Sequence, residues 1–517
     1  MSQETASPDH FPKKSLLING GVQGPLLEAN WGDWLSVKVT NNLTHLLDGF
    51  SLHMHGLFQR DTPWFDGVPG VSQCPIAPGK SFTYQFRADQ FGTSWYHSHY
   101  SSQYTDGALG PLVIYGPRQR GAYYDQDLGV FVFRDYYHGS YELYRDDSFK
   151  GPPPVFHDID NNLLNGIGCD TSSNGACNWT STSLARYRVS TGRSYRMRFV
   201  NTGAAGAQKI FVDNHKMTVI SKDFVPVVPY TTDVITLGVG QRTDVILHAN
   251  GAPRDAVYVR GQIDVPCTNG SAVNSEARAI IQYQAASPNA MPRSSPIPWK
   301  PNGCQDDPID LSVPLWPQTP PSHPSTTQEI SIDAVFNETG AYLFTINNST
   351  FRANYNRPIL KLAADGDASY RNVPEGNIYN FGSNETVRMI VYNHAPFVHP
   401  MHLHGHNYWT LAQGYGKWDG KVINPENPLR RDTVIMPPGA PDNPAYLVLQ
   451  WTQDNPGIWP FHCHIALHSG HGLLLNVLER PEDIKEKHQL PGFIADTCED
   501  WATWSSSHVV DETDSGI

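Results

Sequence analysis

Basic residues are scarce in this sequence relative to acids: 37 Lys and Arg stand against 50 Asp and Glu, a net charge of −13 over 517 residues. That balance argues against a nucleic-acid or anionic-membrane partner, both of which call for a basic face. Long apolar runs are missing too. Segments such as 472–478 fall far short of the ~20 residues of a membrane-spanning helix, so a soluble protein is expected. No apolar signal core follows Met1-Ser-Gln-Glu-Thr-Ala-Ser-Pro8. Convincing long amphipathic helices are absent, with short helical pieces expected only near 481–488 and after Cys498. What is plentiful is turn chemistry, 43 Gly and 41 Pro, beside 39% hydrophobic and 11% aromatic residues. The chain can therefore bury ample core, and its length suits about three domains.

Short runs with period-two alternation recur between the turns. Trp34-Leu-Ser-Val-Lys-Val-Thr40, Ser81-Phe-Thr-Tyr-Gln-Phe-Arg87, Ser194-Tyr-Arg-Met-Arg-Phe-Val200, Thr243-Asp-Val-Ile-Leu-His-Ala249 and Thr386-Val-Arg-Met-Ile-Val-Tyr392 all read as strands. The fold class is all-β, built of sandwiches or barrels. Composition breaks after Ile114-Tyr-Gly-Pro117 and through the Pro/Ser-rich stretch 286–325. They divide the chain into units 1–117, 118–300 and 301–517. The long linker at 286–325 is expected to wrap a surface.

The first and third units look like divergent copies. His53-Met-His55-Gly is echoed by His402-Leu-His404-Gly, and Trp95-Tyr-His97-Ser-His99 by Trp459-Pro-Phe-His462-Cys-His464. The middle unit has no such pairs. Five His-x-His pairs among 22 histidines exceed what chance composition provides. On a strand, residues i and i+2 point the same way, about 6.6 Å apart, so each pair offers two imidazoles to one face. Four pairs from two domains can converge at an interface as an eight-histidine metal cage. Imidazole suits copper, zinc, iron and nickel. His406 makes a fifth, overlapping pair and reads as a supporting residue.

Cysteine narrows the choice. Of seven, Cys463 alone sits between two histidines; the other six suit three disulfides, with 15 possible connectivities. In an extended strand, His462 and His464 face one way and Cys463 the other. The thiolate can then bind one metal while the histidine pair serves another site. His468 follows at Cys-x4-His, and His399 precedes His402. Two histidines and a cysteine make the trigonal set of a blue-copper centre. Seven N-x-Ser/Thr sequons, at Asn42, Asn178, Asn269, Asn337, Asn347, Asn348 and Asn384, join the even cysteines in favouring a secreted, glycosylated protein.

In combination these motifs resemble the multicopper oxidases, specifically ascomycete-type fungal laccases, and the resemblance covers nearly the whole chain. It implies three sequential cupredoxin-like domains and four copper ions. By resemblance, His399, Cys463 and His468 hold a type 1 copper. His53 and His402 hold a type 2 copper, and His55, His97, His99, His404, His462 and His464 a type 3 pair. It also implies disulfides Cys74–Cys498, Cys267–Cys304 and Cys169–Cys177. Leu473, ten residues after Cys463, matches the family's axial position, where an apolar side chain raises the potential. His468 is expected at the exposed edge as the ligand that receives electrons, which pass through Cys463 to His462 and His464. Asp66 and Asp106, near the first histidine pairs, are candidate proton relays or ligand orienters. The ending Asp514-Ser-Gly-Ile517 resembles a C-terminal plug reaching the type 3 coppers, anchored through Cys498.

Departures from the family pattern are also visible. The loop Asn201-Thr-Gly-Ala-Ala-Gly-Ala-Gln208 carries Ala205 where an acid usually contacts the substrate. Ala466-Leu467 brings no acid into the loop before His468. The segment ahead of Ser15-Leu-Leu-Ile-Asn19 is shorter than usual, which predicts a missing first strand and an open sheet edge. The expected activity is one-electron oxidation of diphenols or related aromatics coupled to reduction of O2 to water by a monomer. A ferroxidase or other metal-ion or pigment-precursor oxidase is the alternative. A zinc hydrolase would not need Cys463 between two ligands, and a non-catalytic copper protein would not need the full ligand set.

Overall fold

The computed structural model describes residues 1–517 apart from 44–47, 151–154, 173–175, 181–182, 269, 368, 370–373 and 488–489. The sequon at Asn269 and the expected helix end at His488 therefore lie outside the described residues. The alternating runs form strands as their patterning requires. Trp34–Thr40 pairs antiparallel with Ser81–Arg87, from Trp34 opposite Arg87 to Thr40 opposite Ser81. In Ser81–Arg87, Phe82, Tyr84 and Phe86 are buried and their neighbours face outward. Ser194–Asn201 and Arg242–His248 are buried on both faces instead, because the opposing sheet covers one face and a neighbouring unit the other.

The three units are built alike. The middle one has a six-stranded and a five-stranded sheet, and so does the third. The first has a four-stranded sheet and the pair just described. In the first and third units one sheet has the same order: an edge strand parallel to its neighbour, followed by two antiparallel steps. In the first unit these are Leu27–Asn30, Leu109–Tyr115, Gly92–His97 and His53–Met54. In the third they are Ile378–Gly382, Leu474–Glu479, Gly457–Cys463 and His399–Leu403, with Thr433–Met436 added antiparallel beyond the last. The histidines occupy matching places on these ladders: His53 lies opposite His97, and His402 opposite His462. The internal repeat is thus a repeat of register as well as of motif. Each unit has its own apolar core, and that of the third includes Cys463 and Leu473.

The stretch between Glu276–Tyr283 and Thr326–Phe336 carries no strand of its own and straps the second and third units together. Its Asp306 accepts from Gln241 Nε2 at 2.7 Å and from Ile435 N at 2.6 Å. Its Leu315 N donates to Pro226 O, and its Gln318 O accepts from Trp409 Nε1. The three disulfides pair as the resemblance implied, leaving Cys463 as the free, buried cysteine.

Ser2–Ala6 and Lys13–Leu17 pair antiparallel as a sheet of two. One expectation is corrected. The helix around Cys498 spans Gly492–Ser505, so it starts before that cysteine and holds it mid-helix against Cys74. A helix at Tyr141–Phe149, capped by the Ser140 side chain, had no clear apolar stripe to announce it.

Candidate metal centre

Eight imidazoles from four strand ends converge between the first and third units. The rings of His53 and His404 lie 4.0 Å apart, as do those of His55 and His402. His99 packs against His462 at 5.3 Å and His97 against His464 at 5.2 Å. Ligand atoms of His53, His402 and His404 lie within 4.8 Å of one another, as do those of His99, His404 and His462 and those of His53, His55 and His97. All eight are buried.

Their hydrogen bonds sort the nitrogens. Nδ1 of His53 faces the Asp66 carbonyl at 2.7 Å, Nδ1 of His97 the Ser98 carbonyl at 2.8 Å, and Nδ1 of His402 the Asp432 carbonyl at 2.9 Å. A carbonyl can only accept, so each Nδ1 carries the proton and each Nε2 presents a lone pair. Those Nε2 atoms, with that of His464, are buried without a hydrogen-bond partner. Burial, and after it the neighbouring imidazoles, hold His55, His97, His99, His402, His404 and His464 well below the ordinary histidine range. His462, buried beside His53, is pushed down to about 4. Neutral rings with orphaned lone pairs converging on one space fit metal ions and no apolar core.

A second cluster lies on the other face of the same strand. His399 Nδ1 and His468 Nδ1 are 3.1 Å apart, and Cys463 Sγ is 3.4 Å from His468 Nδ1. Gly457–Cys463 delivers the thiol, His399–Leu403 the first imidazole, and the short turn Ala466–Gly470 the second. Burial holds the Cys463 thiol well above its ordinary range, so a bound cation is needed to favour the thiolate. Two imidazoles and one thiol in contact fit copper. Leu473 is fully buried beside them, its carbonyl accepting from Cys463 N at 3.2 Å.

The expected exposed edge at His468 is corrected: the residue is only 1% exposed. Phe344 at 4.6 Å and Phe397 at 5.7 Å pack against it, and the preceding residues Ile465, Ala466 and Leu467 line the adjoining pocket. Asp66 is brought to the cage, with one oxygen 2.9 Å from His404 Nδ1 and the other 3.3 Å from His53 Nδ1. Asp106 is not. Its oxygens are taken by Lys13 Nζ at 2.6 Å and Tyr141 N at 3.2 Å, which turns the carboxylate away from the ligands. His406 places Nε2 2.9 Å from Glu479, with Trp451 and Trp459 as its ring neighbours.

Sequence reasoning missed Asp432. Its Oδ1 is 3.3 Å from His55 Nε2 and 3.5 Å from His402 Nδ1. Arg242 grips both its oxygens at 2.7 Å. Asp432 has no spacing relation to any histidine pair. The one available signal was a charged cluster, Arg430-Arg431-Asp432, set inside an apolar strand pattern.

A pocket opens beside the second cluster, between the middle unit and the turn before His468. Ala204, Ala205, Ile465, Ala466 and Leu467 form one wall and Tyr137, Tyr141, Tyr144, Phe156 and His157 another. The loop 204–206 is shaped by Asp135, which lies beneath it and accepts from the backbone N–H groups of Ala204, Ala205 and Gly206. A second, smaller cavity touches His97, His99, His462 and His464 and is lined by Ile517. Residues 514–517 are buried there: Asp514 accepts from Ser101 Oγ at 2.5 Å, and Ser515 N donates to Gly470 O.

Comparison with known proteins agrees with this chemistry. Multicopper oxidase family profiles match residues 1–119, 127–286 and 336–483. Laccase-2 of Botryotinia fuckeliana is 35% identical over 530 residues, covering 100% of this chain and 87% of that one. The laccase of Botrytis aclada superposes with a TM-score of 0.89 at 34% identity, covering 100% of this chain and 94% of that one. Fet3p, a multicopper oxidase that functions in iron import, superposes with a TM-score of 0.84 at 25% identity over 97% of this chain and 94% of that one.

Proposed function

This chain belongs to the multicopper oxidase family, and we propose that it oxidises phenolic and related aromatic donors one electron at a time in the pocket beside His468. It is a laccase-like, copper-dependent oxidoreductase that binds four copper ions. When bound, copper supplies one-electron acceptance from the donor and four-electron reduction of O2 to water.

The residues divide that work. His399, Cys463 and His468 would hold the type 1 ion, with the apolar side chain of Leu473 buried beside them and offering it no ligand atom. His53 and His402 hold the type 2 ion, and His55, His97, His99, His404, His462 and His464 the type 3 pair. The observation that carries this reading is the alternation at His462-Cys463-His464. One strand turns a thiol to one cluster and two imidazoles to the other, so the two sites share a covalent path. Asp66 accepts from Nδ1 of His53 and His404 and the Asp432 carbonyl from Nδ1 of His402, which aims their Nε2 atoms inward, whereas Asp432 Oδ1 faces Nε2 of His55 and so turns that ring's Nδ1 to the cage. Asp66, fully buried and held above the usual carboxylate range by desolvation, can also keep a proton at the cage. Residues 514–517 restrict access to the histidines at the cavity lined by Ile517.

The units 1–117, 118–300 and 301–517 serve as cage half, pocket wall and remaining ligand domain. An oxidising, secretory location with glycosylated sequons is in keeping with three disulfides. A metal-ion oxidase would need carboxylates lining the pocket beside His468; the described lining is mostly aromatic and aliphatic with a few hydroxyls and His157, and its nearby carboxylates, Asp135 and Asp147, are already bonded to the loop 204–206 and to His157. The test is copper content, the blue thiolate-to-copper band and O2 uptake with hydroquinone against Fe(II). A blue protein that consumes O2 with hydroquinone far faster than with Fe(II) is expected. A colourless protein, or one active on Fe(II) alone, overturns the reading.

A further inference from the structure

Taking one electron from a phenol makes its O–H group strongly acidic. A pocket that oxidises phenols therefore works best with a base placed to receive the proton as the electron leaves. The loop position where an acid was expected holds Ala205, and the nearby Asp135 is sealed beneath that loop by three N–H groups. The pocket lining offers a different base. We propose that His157, oriented by Asp147, accepts the phenolic proton. This rests on the laccase-like reading and adds a residue to it.

The geometry is that of a histidine backed by a carboxylate. His157 Nε2 lies 2.8 Å from Asp147 Oδ2, on the helix Tyr141–Phe149. Lys150 Nζ sits 2.6 Å from the other oxygen of Asp147. Hydrogen bonds from Lys150 and His157 hold the Asp147 carboxyl below its ordinary range. An ionised carboxylate accepts, so Nε2 carries the proton and Nδ1 is left with a lone pair. Nδ1 makes no hydrogen bond to any described residue. The ring is fixed by stacking on Tyr144, centroids 4.2 Å apart. Its neighbour Phe156 packs at 6.4 Å on Phe397, which packs at 5.7 Å on His468. Proton acceptor and electron acceptor thus flank one aromatic-walled pocket. The charged and titratable groups around His157 are Asp147, Lys150, Tyr144 and the adjacent Asp158.

The step balances. The phenol O–H bond breaks, the proton goes to His157 Nδ1, and the electron would be taken up by copper held at His399, Cys463 and His468. Four such events supply the electrons, and release the protons, that convert one O2 to two waters. Asp147 stabilises the imidazolium by charge, and Lys150 keeps Asp147 from taking the proton itself.

The experiment uses the copper-loaded full chain. 4-Nitrophenol, hard to oxidise, reports proton transfer directly by its phenolate absorption. Bound to the parent, it should ionise at a pH where free nitrophenol is protonated. His157→Gln should bind it in the protonated form, and Asp147→Asn should need a higher pH for ionisation. In turnover, the ratio of kcat/KM for 2,6-dimethoxyphenol to that for ferrocyanide, which carries no proton, should fall about 100-fold in His157→Gln. Its phenol pH profile should lose its acid limb. An unchanged ratio, or equal nitrophenol ionisation in parent and His157→Gln, overturns the proposal, as does a parent that fails to ionise nitrophenol. A parent that ionises nitrophenol yet oxidises neither donor refutes the laccase-like reading instead.

Discussion

At the scale of single residues, Cys463 bears two demands that no other side chain meets. Its sulfur must join two imidazoles, while its backbone must join two cage ligands. Cys463→Ser keeps the backbone and removes the sulfur. The expected outcome is loss of the blue band and of aromatic oxidation while copper bound by the histidine cage persists, read by absorption and metal analysis. Asp48 shows a residue effect on the pocket wall, since it accepts from Tyr141 Oη at 2.5 Å. Burial pushes its carboxyl up to about 6, from 3.8. A group whose folded pKa is raised contributes stability that is full below the unfolded value and lost as pH rises through the folded value. Asp48→Asn should therefore flatten the fall in stability between about pH 4 and 6, measured by denaturant titration.

Elements matter here chiefly through their ends. Each histidine pair sits where a strand runs into a turn, so the turns set the ligand positions. Gly67, directly after Asp66, has φ +81°, and a Cβ there would meet Leu52 O at 2.0 Å. Gly67→Ala should cost about 1–2 kcal/mol from backbone strain alone, and the clash adds to it. Because the clash pushes on the strand end bearing His53, copper occupancy of the cage should fall before the fold is lost, checked by metal content at matched melting behaviour. The tail is the other element with a clear consequence. Deleting 514–517 removes the Asp514–Ser101 and Ser515–Gly470 bonds and the Ile517 side chain beside the cage. Turnover and the type 3 spectrum should change while the blue band stays; identical kinetics across pH would mean the tail is not a plug.

Across the whole molecule, the cage exists because three units are locked in one arrangement. Arg242 of the middle unit is fully buried, grips Asp432 of the third through two bonds, and donates from Nε to Thr93 O of the first. Arg431 adds bonds to Asp223 and Asp306. Removing one partner of such a network leaves uncompensated buried charge. Arg242→Met should destabilise by about 3–5 kcal/mol. It should also loosen cage copper more than type 1 copper, because Asp432 orients His55 and His402 but touches neither His399 nor His468. Selective loss of type 2 and type 3 signals with the blue band intact would bear this out.

Local chemistry determined much of this from the residues alone. Period-two alternation is a property of the chain, so the strands and the all-β class could be read directly. Ligand identity is likewise local: His-x-His and His-Cys-His each put two side chains on one face of one strand. Family resemblance extended this to the pairing of the six other cysteines. Tertiary structure decided what depends on distant segments meeting. Asp66 and Asp106 look equivalent in sequence, each an acid before a turn glycine near a histidine pair. One meets His404, 338 residues away, and the other meets Lys13, 93 residues back. Asp432 had no motif at all, because its partners Arg242, His55 and His402 come from three different units. His468 was expected at the surface, but Phe344 and Phe397 cover it, and no local pattern reveals what packs over a side chain. The pair His157–Asp147 was silent for the same reason: a hydrogen bond across a loop leaves no periodicity in the sequence.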